Sequence, residues 1–304
     1  MNYYYLKITQ GNADARDWLE GKMAGYPAAV IYFDNLTLAQ YGDDEGGKEP
    51  REFLDRSKQT NRADTRMVVI HDGEVWILEP AGDVRFRPSE AGPAGQHTPK
   101  VMPVKILAHK NAKDVPLVLA SITANQFYTR GTFRRINDWG NFKAIDRVAG
   151  GPLKGEHWQV AKQGPEQLLE CLSSIELETL VAKLLEAKGC FVPAYRGGLM
   201  KDIDLIARNC SRVPINFAFL TLQPNKSVSF QIKRWTDSMP KPSSVDCLVG
   251  FGVKGPGVID AKKLLSLVYE CPDVNTWFHL SLSEWLPEEF LAKVGDRLRT
   301  QVAS

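Results

Sequence analysis

Two stretches constrain this chain more than any others, "KDIDLIAR" and "SVSFQIKRW", because each alternates apolar and polar residues with the two-residue period of a β-strand. In the first, alternation sends Ile203 and Leu205 to one face and Asp202 and Asp204 to the other. In the second, Val228, Phe230 and Ile232 oppose Ser229, Gln231 and Lys233. Each segment therefore needs a core on one side and collects its polar groups on the other. Desolvating unpaired charge costs on the order of several kcal/mol, so charges at these positions call for partners. If the two strands are neighbours, a carboxylate, an amide oxygen and an ammonium meet at one sheet edge. That set is suited to holding Mg²⁺ and steering a water.

The rest of the chain sorts into two regions. Its 304 residues exceed what one ordinary core holds, which favours two domains. Over residues 1–150, the runs "YYYLKI", "AAVIYF", "RMVVIH", "EVWILEP", "DVRFRP", "MPVKIL" and "PLVLASI" read as strands, and "HDGEVW" carries a hairpin turn. A helix is expected at "NADARDWLEGKMAG", closed by Gly25, whereas "YGDDEGGKEPREFLDRSKQTNRAD" and "RPSEAGPAGQHTPK" read as solvated loops. Residues 148–168 lack periodicity and read as a linker. From 168 to 304, "SSIELETLVAKLLEAKG" starts at a Ser173–Glu176 capping box, keeps leucines at helical spacing and stops at Gly189. The strand pair follows, then a strand at "VDCLVGFGV", a helix at "DAKKLLSLVYEC", a strand at "TWFHLSL" and a helix at "PEEFLAKVGDRLRTQ". The expected fold class is α+β or α/β, a β-rich N-terminal domain followed by an α/β domain with helices covering a sheet.

Composition narrows the function. The five cysteines and five histidines are scattered, without CxxC or HExxH spacing and without a GxSxG elbow, so neither a zinc cage nor a serine-hydrolase site is signalled. A net charge of +2 means that binding to nucleic acid rests on a local patch. No basic leader and no segment of membrane-spanning length is seen, so a cytoplasmic protein without a membrane partner is expected.

The motifs in order, "LETLVAKLLEAKGC", "RGGLMKDIDLIA" and "FQIKRW", resemble the Mrr-like restriction endonucleases of the PD-(D/E)xK nuclease superfamily over roughly residues 173 to 235. The resemblance implies a restriction-endonuclease-like α/β/α domain and a metal-dependent DNA endonuclease using Mg²⁺ or Mn²⁺. It carries Asp204 over as the metal-binding aspartate, Gln231 as the residue replacing the usual acid, Lys233 as the lysine that orients the attacking water, and Glu178 as the helical glutamate near the metal. Glu176 is assigned to the capping box instead. The chain departs from the family's glycine-rich turn at "LMKDID", where Asp202 replaces a glycine and either adds a ligand or changes how the strand begins. The resemblance further implies a separate recognition or sensor domain, DNA (modified or not) as partner, and a homodimer or higher homo-oligomer.

In the first region, "ANQFYTRGTFRRINDWGNFK" interleaves Phe127, Tyr128, Phe133, Trp139 and Phe142 with Arg130, Arg134, Arg135 and Lys143. This is either a nucleic-acid surface, with aromatics on bases and cations on phosphates, or a β-hairpin whose aromatics face the core. Trp18, Trp76 and Tyr41 are candidates to line a base or nucleotide pocket. The expected function is a modification-dependent restriction or anti-phage defence nuclease. The alternatives are an effector nuclease triggered by a signalling nucleotide and a non-catalytic DNA-binding protein on the nuclease scaffold.

Overall fold

A computed structural model describes residues 1–8, 14–33, 45–86, 98–124, 132–137, 139–150, 166–194, 203–233, 244–251, 255–283 and 286. The chain has an α+β fold with two compact units, Met1–Leu153 and Lys154–Ser304.

The first unit is built on a seven-stranded mixed sheet. Its elements are β1 (Asn2–Leu6), α1 (Ala15–Leu19), β2 (Ala28–Phe33), α2 (Glu45–Ser57), α3 (Gln59–Arg62), β3 (Thr65–His71), β4 (Glu74–Pro80), β5 (Arg85–Phe86), β6 (Thr98–Asn111), α4 (Leu117–Ala120), β7 (Phe133–Arg135) and α5 (Trp139–Val148). The strand order is β2-β6-β4-β3-β1-β7, with β5 also on β6. β1 runs parallel to β3, and the other pairs are antiparallel. The β3–β4 hairpin turns through Asp72 and Gly73, both at positive φ (49° and 71°), the conformation a type I′ turn requires. Tyr4, Leu6, Val69, Trp76 and Phe133 lie in one buried cluster with Phe53 of α2.

Two expectations for this unit are corrected. "GGKEPREFLDRS" is the helix α2 rather than a solvated loop, and it buries Phe53 fully while keeping Pro50 inside it; two glycines, a proline and many charges hid one apolar face. "LVLA", within the expected strand "PLVLASI", is the short helix α4, with Pro116 immediately before it and Val118 and Leu119 buried, because a short apolar run has no period of its own to separate helix from strand. The expected linker core at 151–165 lies outside the described residues, as does 87–97 of the second expected loop.

The second unit contains α6 (Gln167–Glu170), α7 (Ser174–Ala187), β8 (Phe191–Ala194), β9 (Leu205–Arg208), β10 (Ile215–Phe217), β11 (Leu220–Leu222), β12 (Ser227–Lys233), β13 (Cys247–Gly250), β14 (Val258–Ile259), α8 (Ala261–Tyr269) and α9 (Pro272–Ser283). A five-stranded sheet has the order β14-β13-β12-β9-β8, with β10–β11 a separate hairpin. β12 is antiparallel to β9 and parallel to β13. α7 opens with the capping box, in which the Glu176 N–H donates to Ser173 Oγ at 3.1 Å and the Ser173 N–H to Glu176 Oε2 at 2.8 Å. It ends at Gly189, whose φ of +90° is the left-handed conformation that closes helices. "TWFHLSL" is part of the helix α9 and not a strand. Pro272 starts that helix, and Val274, Phe278 and Leu282 recur every four residues on its buried side. The expected helix from Pro287 lies outside the described residues. Among the described residues no helix is long and apolar enough to cross a membrane.

Candidate functional site

The β9–β12 register decides which charges meet. Leu205 faces Phe230 across the ladder, Ile206 faces Ser229, Ala207 faces Val228 and Arg208 faces Ser227. Directly opposed residues share a face, so Leu205, Ala207, Phe230 and Ile232 fall on one side, and these four are buried. Phe217 of the β10–β11 hairpin lies edge-on to Phe230 there, with ring centroids 5.9 Å apart. The other side carries Ser227, Ser229, Gln231 and Lys233 together with Arg208, Ile206 and Asp204.

At the Asp204 end the ladder changes character. The Asp204 N–H still donates to the Phe230 carbonyl at 2.9 Å, but the Ile232 N–H donates to Asp204 Oδ2 at 2.7 Å. The carboxylate thus takes the place of a strand carbonyl and ties β12 to the start of β9. Lys233 Nζ stands 3.6 Å from the same oxygen, with 37% of the Lys233 side chain exposed and 24% of the Asp204 side chain. A pair this exposed adds about 1 kcal/mol or less to stability. Gln231, between them on β12, is 3% exposed. Beyond Phe230, β12 pairs, among the described residues, with β13, where Gln231, Ile232 and Lys233 lie beside Leu248, Val249 and Gly250. The site therefore lies beside the first residues of β9 and the last described residues of β12.

Asp204, Gln231 and Lys233 are thus brought together. Glu178 is half-buried in α7, a helix packed against β8, β9 and β12. Asp202 lies outside the described residues. Among the described residues, no three His, Cys, Asp or Glu side chains gather into a metal-holding group. With Oδ2 of Asp204 engaged by Ile232 and Lys233, the donors the site offers a hard cation are Oδ1 of Asp204 and the Gln231 amide oxygen. That fits an ion such as Mg²⁺, which keeps several waters and takes one or two protein oxygens together with substrate phosphate.

No family model matches this chain, and no curated protein matches it.

The cation-aromatic segment of the first unit is arranged differently. Phe133 is 1% exposed and stacks on Tyr4 at 4.4 Å, while Phe142 stacks on Tyr3 at 4.6 Å. Lys143, expected on phosphates, is buried at 6% exposed. Arg134 is ion-paired with Glu49 at 2.7 Å, and the other oxygen of that carboxylate accepts the Thr132 and Phe133 N–H groups. Arg135 is exposed and donates to Asn2 Oδ1 at 2.9 Å. Trp18 and Trp76 are core residues, 4% and 1% exposed. Phe127, Tyr128, Arg130, Tyr41 and the side chain of Trp139 lie outside the described residues.

Two features of the site region were missed by sequence reasoning. Asp246, just before β13, accepts the Ser229 N–H and hydroxyl at 2.8 and 2.9 Å, fixing β12 against its parallel neighbour. Asn209 is fully buried at the end of β9: its amide donates to the Val213 and Leu222 carbonyls, and its Oδ1 accepts from the Ser211 N–H and hydroxyl. It holds the loop that leaves the strand. The signal available for Asp246 was its position immediately before an apolar strand run; nothing in the sequence singled out Asn209.

Proposed function

We propose that this protein is a metal-dependent endonuclease that hydrolyses phosphodiester bonds in DNA, with its reactive centre at Asp204, Gln231 and Lys233. The observation that carries the reading is the juxtaposition of the Asp204 carboxylate and the Lys233 ammonium at 3.6 Å, on paired strands that also present Gln231. A bound Mg²⁺ or Mn²⁺ supplies charge neutralisation at the phosphate and a more acidic water. Asp204 and Gln231 supply oxygens for it, and Glu178 lies on the helix packed against both strands. Lys233 orients the water or stabilises the negative charge that develops on the phosphate oxygens. The Ile232 N–H holds the Asp204 carboxylate in one orientation, so the site is set before substrate arrives.

The biological setting proposed is a cytoplasmic restriction or anti-phage defence nuclease that acts as a homodimer, since cutting both strands of a duplex takes two centres. The first unit then serves as the reader of a base modification or of a signalling nucleotide. One observation favours a second reading, a non-catalytic DNA-binding protein on the same scaffold: Asp204 Oδ2 already has two structural partners. A cleavage assay separates the two. Purified protein with Mg²⁺ or Mn²⁺ is given plain plasmid, cytosine-modified DNA and single strands. Cleavage of modified DNA alone supports the modification-dependent reading; intact substrates throughout, with no rise in melting midpoint on adding Mg²⁺, support the scaffold reading.

A further inference from the structure

The face of the sheet that carries Asp204 does not end there. Along β9, Asp204, Ile206 and Arg208 share that face, and Arg208 is directly opposite Ser227 on β12 and Phe191 on β8. Phe191, Arg208 and Ser227 thus form one cross-strand row, four residues along β9 from Asp204 and along β12 from Gln231. At a strand rise of about 3.3 Å per residue, the rows are about 13 Å apart, on the order of four steps of B-form DNA along its axis.

Exposure follows the same gradient. Gln231 is 3% exposed, Ile206 and Ser229 are half-buried, and Arg208, Ser227 and Phe191 are exposed, Phe191 at 56%. Phe191 is the one large apolar side chain on that face left open to solvent among the described residues of β8, β9 and β12. Among the described residues no carboxylate pairs with Arg208. From Leu205 to Thr236 the sequence contains five cations and no acid. Asp246, the acid that bonds β12 from the β13 side, is committed to Ser229.

We infer that this row is a DNA-strand contact continuous with the reactive centre, with Arg208 holding a backbone phosphate and Phe191 stacking on a base of the same strand. The inference rests on the reading of the Asp204 end as the site of phosphodiester cleavage. Charge complementarity and register select the occupant: a guanidinium with no carboxylate partner among the described residues, beside an open aromatic, is the combination that tracks a nucleic-acid backbone while tolerating any base. The loop after β9 is pinned by Asn209, so the row is preorganised.

The test is binding of labelled duplex and single-stranded DNA, plain and cytosine-modified, to the full chain in chelator, where no cutting occurs, across a salt series. Arg208→Ala is expected to reduce the slope of log affinity against log salt by about 0.9 on duplex or about 0.7 on single strands. Phe191→Ala is expected to weaken binding about tenfold or more with the slope unchanged. Phe219→Ala is the control. It removes a half-exposed aromatic from the hairpin whose Phe217 lies against the opposite, apolar face, and it is expected to bind as wild type. Both test side chains are exposed, so all three variants are expected to unfold at the wild-type midpoint.

Wild-type slope in Arg208→Ala, wild-type affinity in Phe191→Ala, or no DNA binding by the wild type overturns the inference. The two readings fail separately. Cleavage with Mg²⁺ by variants that bind normally removes this row and leaves the nuclease standing. Variant-sensitive binding without any cleavage leaves the row and removes the nuclease.

Discussion

The Asp204 edge of the second unit and the Phe133–Lys143 segment of the first both mix cations with apolar residues, yet they do opposite things with them. At the Asp204 edge, the ladder places a carboxylate, an amide and an ammonium on one face and leaves the ion pair partly in water. In the Phe133–Lys143 segment, Phe133 and Phe142 stack on Tyr4 and Tyr3, Lys143 is buried and Arg134 is paired with Glu49. The difference lies in period. Strict alternation along a strand fixes which side chains share a face before any tertiary contact is known. An irregular mixture leaves that choice to packing.

The comparison is sharpened most by Phe133→Ala. Its ring is fully buried on Tyr4 and edge-on to Phe53, so the loss is expected to be about 3–5 kcal/mol and to appear as a lower denaturant midpoint. A small effect would reopen the segment as a surface. Asp204→Asn comes next. Cleavage should be lost, and stability should fall by about 1–2 kcal/mol because the Ile232 N–H loses a charged acceptor. Addition of Mg²⁺ should raise the melting midpoint of the wild type but not of this variant. An equal metal response in both would take Asp204 out of the site.

A pH series probes the buried aromatic side of the comparison. Burial, together with hydrogen bonds to Asp146 and Glu52, pushes the Tyr3 and Tyr4 phenols well above the usual value, and burial pushes Tyr269 up to about 12. A folded state that keeps its proton longer than the unfolded state is fully stabilised below pH ~10 and loses that stability as pH rises further. Chemical-denaturation midpoints should therefore fall steadily above pH ~10, with tyrosinate absorbance rising only as the fold opens. The smallest effect is expected from Arg134→Gln, about 1 kcal/mol or less from the Glu49 pair, with DNA affinity unchanged. A clear loss of affinity would make this segment a second DNA surface.

Much of the fold was legible where pattern and chemistry agreed. The capping box and Gly189 bounded α7, Asp72–Gly73 turned the β3–β4 hairpin, and alternation assigned the faces of β9 and β12. The misread elements are those with conflicting signals. α2 carries Pro50 and two glycines, and α4 and α9 offer short apolar runs rich in strand-favouring residues. For the site, alternation placed Asp204, Gln231 and Lys233 on one face, but it does not show that the Asp204 carboxylate bonds a neighbouring strand's N–H. Nor does it give Phe191, whose place beside Arg208 depends on the β8–β9 register.

The central claim is that Lys233 and Asp204 perform phosphodiester cleavage together. The measurement that tests it most directly is the cleavage rate of Lys233→Ala beside wild type on the best DNA substrate with Mg²⁺, with DNA affinity measured separately in chelator. The account expects the variant to bind as wild type and to cut at least a hundredfold more slowly, the order expected for loss of one charge-stabilising donor. Equal rates at equal affinity would contradict it and move any chemistry of this protein away from the Asp204 edge.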